Sequence, residues 1–327
     1  MRLVRRLPPL ALVVGILILS ACAPAQRALV RTVFAPAEPL PASRELHDLP
    51  YTGGEDAIDK HRLDLFLPSP ETPVGWPTVV FVHGGGWTEG DRNLTVAGYE
   101  IYGNLGRRLA ERGVGAAVIS YRLQPAVGWR EQVDDVAQSV AWVHTSIAAH
   151  GGDAGRLFLS GHSAGAQLVT YVSLAPWPLA AAGLEPTTIC GVAPISGVGF
   201  ALADEATYAA GADRSYYRRR FGGTEGWQGE ASAITYLESA APPFLIVYGD
   251  AEWASLQRQN ALLDAMLRQV GVASRLLVLP NVSHRLIIAQ ASDPGEPILP
   301  ALVDFVRTTE CAPHGALGAA AAKRGGD

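Results

Sequence analysis

From Arg62 to Leu279 the chain alternates short apolar runs with stretches whose apolar residues fall at helical spacing. RLDLFLP, TVVFVH, GAAVISY, RLFLS, ICGVAPIS, PFLIVYG and RLLVLP have the length and character of strands. Between them, YGNLGRRLAER and AGAQLVTYVSL read as helices. So do Val133, Val136, Ala137, Val140, Val143 and Ile147, and the later set Leu256, Leu263, Met266, Leu267 and Val270. Helices inserted between successive strands are what a parallel sheet needs to return the chain to its starting edge. The alternation therefore predicts one α/β domain with a mostly parallel twisted sheet and helices on both faces. Such sheets bind ligands outside the carboxyl ends of their strands, so the chemistry is to be sought there.

The 327 residues are 48% hydrophobic and only 17% charged, enough for a sizeable core. A formal net charge of -5 with no long basic run argues against nucleic acid as a partner. The densest basic cluster, Arg218-Arg219-Arg220, reads as a solvated face, with a partner or substrate patch as the alternative. At the N-terminus, Arg2, Arg5 and Arg6 precede the apolar LALVVGILIL, a pattern of export rather than of fold. That apolar core is short for a membrane span, which needs about 20 residues. Residues 22–45 are rich in Ala and Pro and read as a tether; residues 46–308 form the domain, and 309–327 an Ala/Gly-rich tail. Cys190 and Cys311 are too few and too distant to be a disulfide framework, although they could pair in an oxidising compartment. The histidines are scattered, so no metal site is expected, and no cofactor is called for.

Two glycine-rich stretches carry the chemistry. In LFLSGHSAGAQL, Gly161-His162-Ser163-Ala164-Gly165 joins a strand to a helix. A Gly-x-Ser-x-Gly turn at such a junction exposes the hydroxyl at a helix N-terminus, and its glycines let strand and helix approach closely. A serine needs a base to become nucleophilic. In this architecture the acid and then the histidine follow the serine along the chain. Only His284 and His314 lie downstream, and His314 is in the tail, so His284 is the candidate base. His162 reads as a filler of the turn. Asp250 and Glu252, in YGDAEW, are both candidates for the acid, which would hold His284 in the right tautomer. In FVHGGGW, residues 81–87, glycines after a strand offer N–H donors to an oxyanion with no side chain in the way. A phosphate loop is excluded because no Gly-Lys-Ser/Thr follows.

HGGGW, SYRLQP, GGDAGRLFLSGHSAGAQL, YGDAEW and VSH together resemble α/β-hydrolase-fold carboxylesterases. The similarity runs from about Leu63 to Val306. It is strongest toward the branch with kynurenine-formamidase-like and prenylcysteine-methylesterase-like enzymes, with hormone-sensitive-lipase-like esterases further off. The resemblance implies oxyanion donors at Gly85, Gly86 and Ala164, and a structural role for His83. It places the acid three residues after Gly249, which selects Glu252 where relatives commonly carry Asp; Arg258-Gln259 matches a pair that follows the acid there. It also implies a small cap insertion, residues 197–235, whose Tyr and Phe would either line the pocket or pack the insert on the body. LSAC, Leu19 to Cys22, resembles a bacterial lipobox. That implies a signal peptide over residues 1–21, lipid on Cys22 and a membrane-held exported domain. With Ala23 next, the outer membrane is the expected site in a Gram-negative cell.

The expected activity is hydrolysis of small carboxylic esters through an acyl-serine. The alternatives are a formamidase- or peptidase-like amide hydrolase, which would use the same residues, and a catalytically silent envelope lipoprotein.

Overall fold

A computed structural model describes residues 37–41, 44–53, 59–96 and 99–311. Its main sheet has eight strands: β1 (Glu45–Pro50), β2 (Arg62–Phe66), β3 (Trp76–Val82), β4 (Gly115–Ile119), β5 (Gly152–His162), β6 (Ile189–Ile195), β7 (Phe244–Gly249) and β8 (Ser274–Leu279). Their order across the sheet is β1-β2-β4-β3-β5-β6-β7-β8. β1 and β4 each pair antiparallel with β2, and every other neighbouring pair is parallel.

Every residue of β3, β4, β6 and β7 is buried. That is why these strands read as unbroken apolar runs: a central parallel strand is covered on both faces and has no solvent side to keep polar. On one face, α2 (Trp129–Ser146), α3 (Ala164–Leu174) and α8 (Ala254–Gln269) pack through Val133, Val140, Leu168, Val169, Leu263 and Leu267. On the other, α1 (Ile101–Ala110), α9 (His284–Gln290) and α10 (Ile298–Thr308) pack through Leu105, Leu109, Ile287, Leu299 and Leu302. The remaining helices are short: α4 (Trp177–Ala181), and α5 (Glu205–Ala209), α6 (Arg214–Phe221) and α7 (Trp227–Ala231) between β6 and β7. No helix among the described residues is long and apolar enough to cross a membrane.

One feature differs from the sequence expectation, and one that it left open is decided. β1 begins at Glu45, inside the stretch read as tether, and Ala37 also donates its N–H to Asn104 Oδ1 of α1. Ala37 and Glu45 therefore belong to the body. Cys190, at the start of β6, is disulfide-bonded to Cys311 just beyond α10, so the start of the tail is pinned to the sheet. Cys22, the signal segment and His314 lie outside the described residues.

The parallel register sets up the site. Val82 of β3 is beside Gly161 of β5, which is beside Pro194 of β6; Leu279 of β8 is beside Gly249 of β7. The segments that follow these strand ends carry the glycine run, Ser163, Ser196, Glu252 and, at the start of α9, His284.

Candidate active site

Ser163 stands alone between the end of β5 and the first residue of α3, with φ 56° and ψ -114°. A non-glycine residue in such a conformation costs about 1–3 kcal/mol and persists only where its surroundings impose it. Here Ser163 N–H donates to Ile195 O at 3.0 Å, and Gln167 N–H donates to Ser163 O at 3.2 Å. The flanking glycines are required by contact. A Cβ on Gly165 would lie 2.2 Å from Val82 O, and one on Gly161 would lie 2.6 Å from the Gly165 backbone.

His284 is the first residue of α9 rather than part of an open loop. Ser163 Oγ lies 2.9 Å from its Nε2, and Glu252 Oε2 lies 3.0 Å from its Nδ1. A carboxylate only accepts, so Nδ1 carries the proton and Nε2 presents its lone pair to the serine hydroxyl. The Glu252 carboxyl is fully enclosed, while His284 keeps 17% of its side chain exposed. The other carboxylate oxygen, Oε1, accepts from Gly249 N–H at 3.0 Å and from the hydroxyl of Ser196. Ser196 is fully buried at φ 50°, directly after β6.

Asp250, the other candidate acid, is exposed and accepts from Asn281 N–H at 2.6 Å; it makes no bond to His284. The choice comes from a turn, in which Glu252 N–H bonds back to Gly249 O and Ala251 N–H to Val282 O. This turn points Asp250 out and Glu252 in, an arrangement that alternation along an extended strand could not reveal.

Two further histidines frame the site. His162 is buried, donates Nε2–H to the backbone oxygen of His284 at 3.1 Å, and has its ring 4.9 Å from that of His284. Burial, reinforced by the neighbouring His284, pushes its pKa down to about 3. His83 donates Nδ1–H to Gly84 O at 2.7 Å and stacks on Tyr121 at 4.4 Å; burial lowers its pKa to about 4. Both are neutral supports at ordinary pH. His162 is thus more than a filler, since it fastens the start of the helix that carries the candidate base.

The glycine run lies against the serine: a Cβ on Gly84 would be 3.3 Å from Ser163 Cβ. The N–H groups of Gly85, Gly86 and Ala164 have no hydrogen-bond partner among the described residues. Gly86 has φ 58°, and a Cβ there would meet the Tyr216 hydroxyl at 2.6 Å. Trp87 closes the run, fully buried, with its indole N–H on Gln167 Oε1 at 3.1 Å. The insert between β6 and β7 packs on this tryptophan. Phe221 meets it edge-on at 4.8 Å and Tyr217 at 6.2 Å, while Arg220 donates Nε–H to Gly86 O at 3.1 Å. Its buried aromatics hold the insert down, and half-buried Tyr216 joins Arg220 at Gly86. Arg218 and Arg219 are exposed, as a solvated face requires.

The arrangement brings together Ser163, His284, Glu252, Gly85, Gly86 and Ala164. Sequence reasoning missed Ser196 and the fastening role of His162. A polar residue ending a fully apolar strand, at the sheet edge where ligands bind, was the available signal for Ser196. Among the described residues no group of His, Cys, Asp and Glu could hold a metal ion.

Residues 63–176 match the protein-family model BD-FAE. Esterase LipQ of Mycobacterium tuberculosis is 30% identical over 252 residues, covering 74% of this chain and 57% of that protein. The isoprenylcysteine alpha-carbonyl methylesterase ICME of Arabidopsis thaliana is 26% identical over 245 residues, covering 71% of this chain and 55% of that protein. The chain thus spans a little over half the length of these two relatives. Among solved structures, esterase B from Lactobacillus Rhamnosis aligns with a TM-score of 0.66 at 22% identity, covering 90% of this chain and 94% of that one, a likeness of fold. The chain has the α/β-hydrolase fold, and the resemblance to the carboxylesterase branch with prenylcysteine methylesterases holds in these relatives.

Proposed function

We propose that this chain is a serine carboxylesterase acting on small esters. The observation that carries the reading is the continuous hydrogen-bonded line from buried Glu252 through His284 to Ser163, beside three N–H groups that no described residue accepts from. In acylation Ser163 Oγ attacks the ester carbonyl while His284 Nε2 takes its proton. The N–H groups of Gly85, Gly86 and Ala164 stabilise the oxyanion, and because they are held in place beforehand they need no reorganisation as charge develops. His284 then gives the proton to the departing alcohol, freeing Nε2. Water, deprotonated by the same nitrogen, attacks the acyl-serine; the acyl–Oγ bond breaks, His284 returns the proton to Ser163 Oγ, and the acid leaves. Glu252 keeps the imidazole in the useful tautomer and stabilises its cation.

Short acyl groups are the expected substrates. The insert's helices have only 5, 8 and 5 residues, too little for an extended lipid-binding lid. The test is fluorophosphonate labelling of the wild type and Ser163→Ala, followed by a panel of short and long acyl esters and formamides. Labelling of the wild type alone, with fastest turnover on short esters, is the expected result. Folded protein that neither labels nor turns over esters refutes the reading; faster turnover of formamides moves it to amide chemistry.

We also propose export and lipid attachment at Cys22. The lipobox-like LSAC supports this, and the Cys190–Cys311 disulfide is of a kind that persists in oxidising compartments. Each buried methylene contributes about 0.8 kcal/mol to membrane binding, so more than one acyl chain gives stable anchoring. Cys22→Ala is expected to release active enzyme into solution. Undiminished membrane retention would make the apolar segment itself the anchor.

A further inference from the structure

Trp253 follows Glu252 directly and is 60% exposed, whereas the other six tryptophans are buried or half-buried. Its ring centroid lies 4.7 Å from that of His284, the planes tilted by 41°. His284 therefore has two aromatic neighbours: buried His162 at 4.9 Å and exposed Trp253. The tryptophan backbone is fixed at the head of α8, where its carbonyl accepts from both Leu256 N–H and Gln257 N–H at 3.0 Å. No hydrogen bond among the described residues holds its indole N–H. It is a large apolar surface, anchored at its base, left open to solvent beside the candidate base.

We infer that Trp253 is the floor of the leaving-group subsite and that the alcohol portion of the preferred ester is flat and apolar, such as an aryl group. The inference rests on the esterase reading and extends it to a substrate class. Protonation of the leaving oxygen requires it to come within about 3 Å of His284 Nε2. The carbonyl oxygen is committed to the glycine run, where the insert covers Gly86 through Arg220 and Tyr216. His162 blocks the buried side of His284. What remains for the alcohol is the open side, and there it meets the indole. Stacking of a planar group on an aromatic face contributes beyond the area it buries, and a ligand ring would cover surface that otherwise stays in water.

The test holds the acyl group constant and varies the alcohol. Ethyl, cyclohexyl, phenyl and 2-naphthyl acetates all form the same acetyl-enzyme, so differences in kcat/KM report acylation. Differences in intrinsic leaving ability cancel when variant and wild type are compared. Trp253→Ala is expected to lower the 2-naphthyl-to-ethyl ratio of kcat/KM by about tenfold. Trp253→Phe should recover most of that ratio, and cyclohexyl acetate should lose less than phenyl acetate. A uniform fall for all four esters in folded protein would overturn the inference, leaving Trp253 as a shield for His284. An equal loss for cyclohexyl and phenyl would overturn the requirement for planarity. No turnover of any acetate by folded wild type would remove the esterase reading and this inference with it, whereas an unchanged ratio with good turnover would remove the inference alone.

Discussion

His162 and His83 make folding stability fall in mild acid. Their folded pKa values are depressed to about 3 and about 4 by burial, against an ordinary value of 6.5. A depressed histidine binds its proton more readily in the unfolded chain, so stability is fully present above pH 6.5 and is lost as pH falls toward the folded pKa. At pH 5 both rings are still neutral in the native protein. The unfolded chain gains about 1.5 pH units of proton binding at each, worth about 2 kcal/mol per ring and about 4 kcal/mol together. Paired carboxylates contribute little in this window, because their unfolded values lie near pH 4. Urea unfolding with the disulfide intact, measured from pH 7 to pH 5, should show that loss. A double variant His162→Gln with His83→Asn places amide donors near the Nε2 and Nδ1 positions without a titrating ring. Its stability should be lower at pH 7 but fall far less across the same range, the remainder coming from partly buried His150, whose pKa burial also lowers. If the wild type loses no stability between pH 7 and pH 5, or the double variant keeps the full slope, the two rings are not buried neutral groups.

Glu252→Gln should cost on the order of 10⁴ in kcat with the fold retained, because the imidazolium loses its partner; Asp250→Asn should cost far less, and the reverse ranking in steady-state kinetics would reassign the acid. Ser196→Ala removes one of two donors to Glu252 Oε1, and a loss of about 1–3 kcal/mol in unfolding free energy is expected with reduced kcat; unchanged stability and turnover would mean that Gly249 N–H suffices. Gly165→Ala forces a Cβ against Val82 O, so thermal melting should drop by several degrees along with activity. Cys311→Ser opens a linkage spanning 121 residues of sequence, with an expected loss of roughly 2–4 kcal/mol by urea unfolding; no change would show the tail contact to be idle.

The sheet was readable because its central strands are buried on both faces and so carry uninterrupted apolar runs. β1 escaped because it is an edge strand with one buried residue in six, leaving nothing periodic to detect in ELHDLP. Ser163 and His284 were readable since a strand-turn-helix context and chain order leave few choices. The acid was not separable from the residues alone: Asp250 and Glu252 are distinguished by a turn built from bonds to Gly249 at the end of β7 and to Val282 in the loop after β8. The insert's role was equally hidden. Tyr216, Tyr217 and Phe221 all pack on Trp87, yet only Tyr216 among them also faces Gly86, a difference that spacing along the chain does not show.

The bond from Arg220 to Gly86 O has a consequence for anyone remodelling this scaffold. The insert is a natural place to graft foreign segments, because it lies between two strands and contributes none of Ser163, His284 and Glu252. Yet one of its side chains braces a glycine proposed to stabilise the oxyanion, and its aromatics wedge the tryptophan that ends the same run. Specificity and turnover are therefore not independent modules. A transplanted insert that supplies an attractive pocket but no donor for Gly86 O would yield a protein that still labels with a fluorophosphonate and turns over slowly. Successful chimeras will be those whose replacement carries a guanidinium or amide to the same carbonyl.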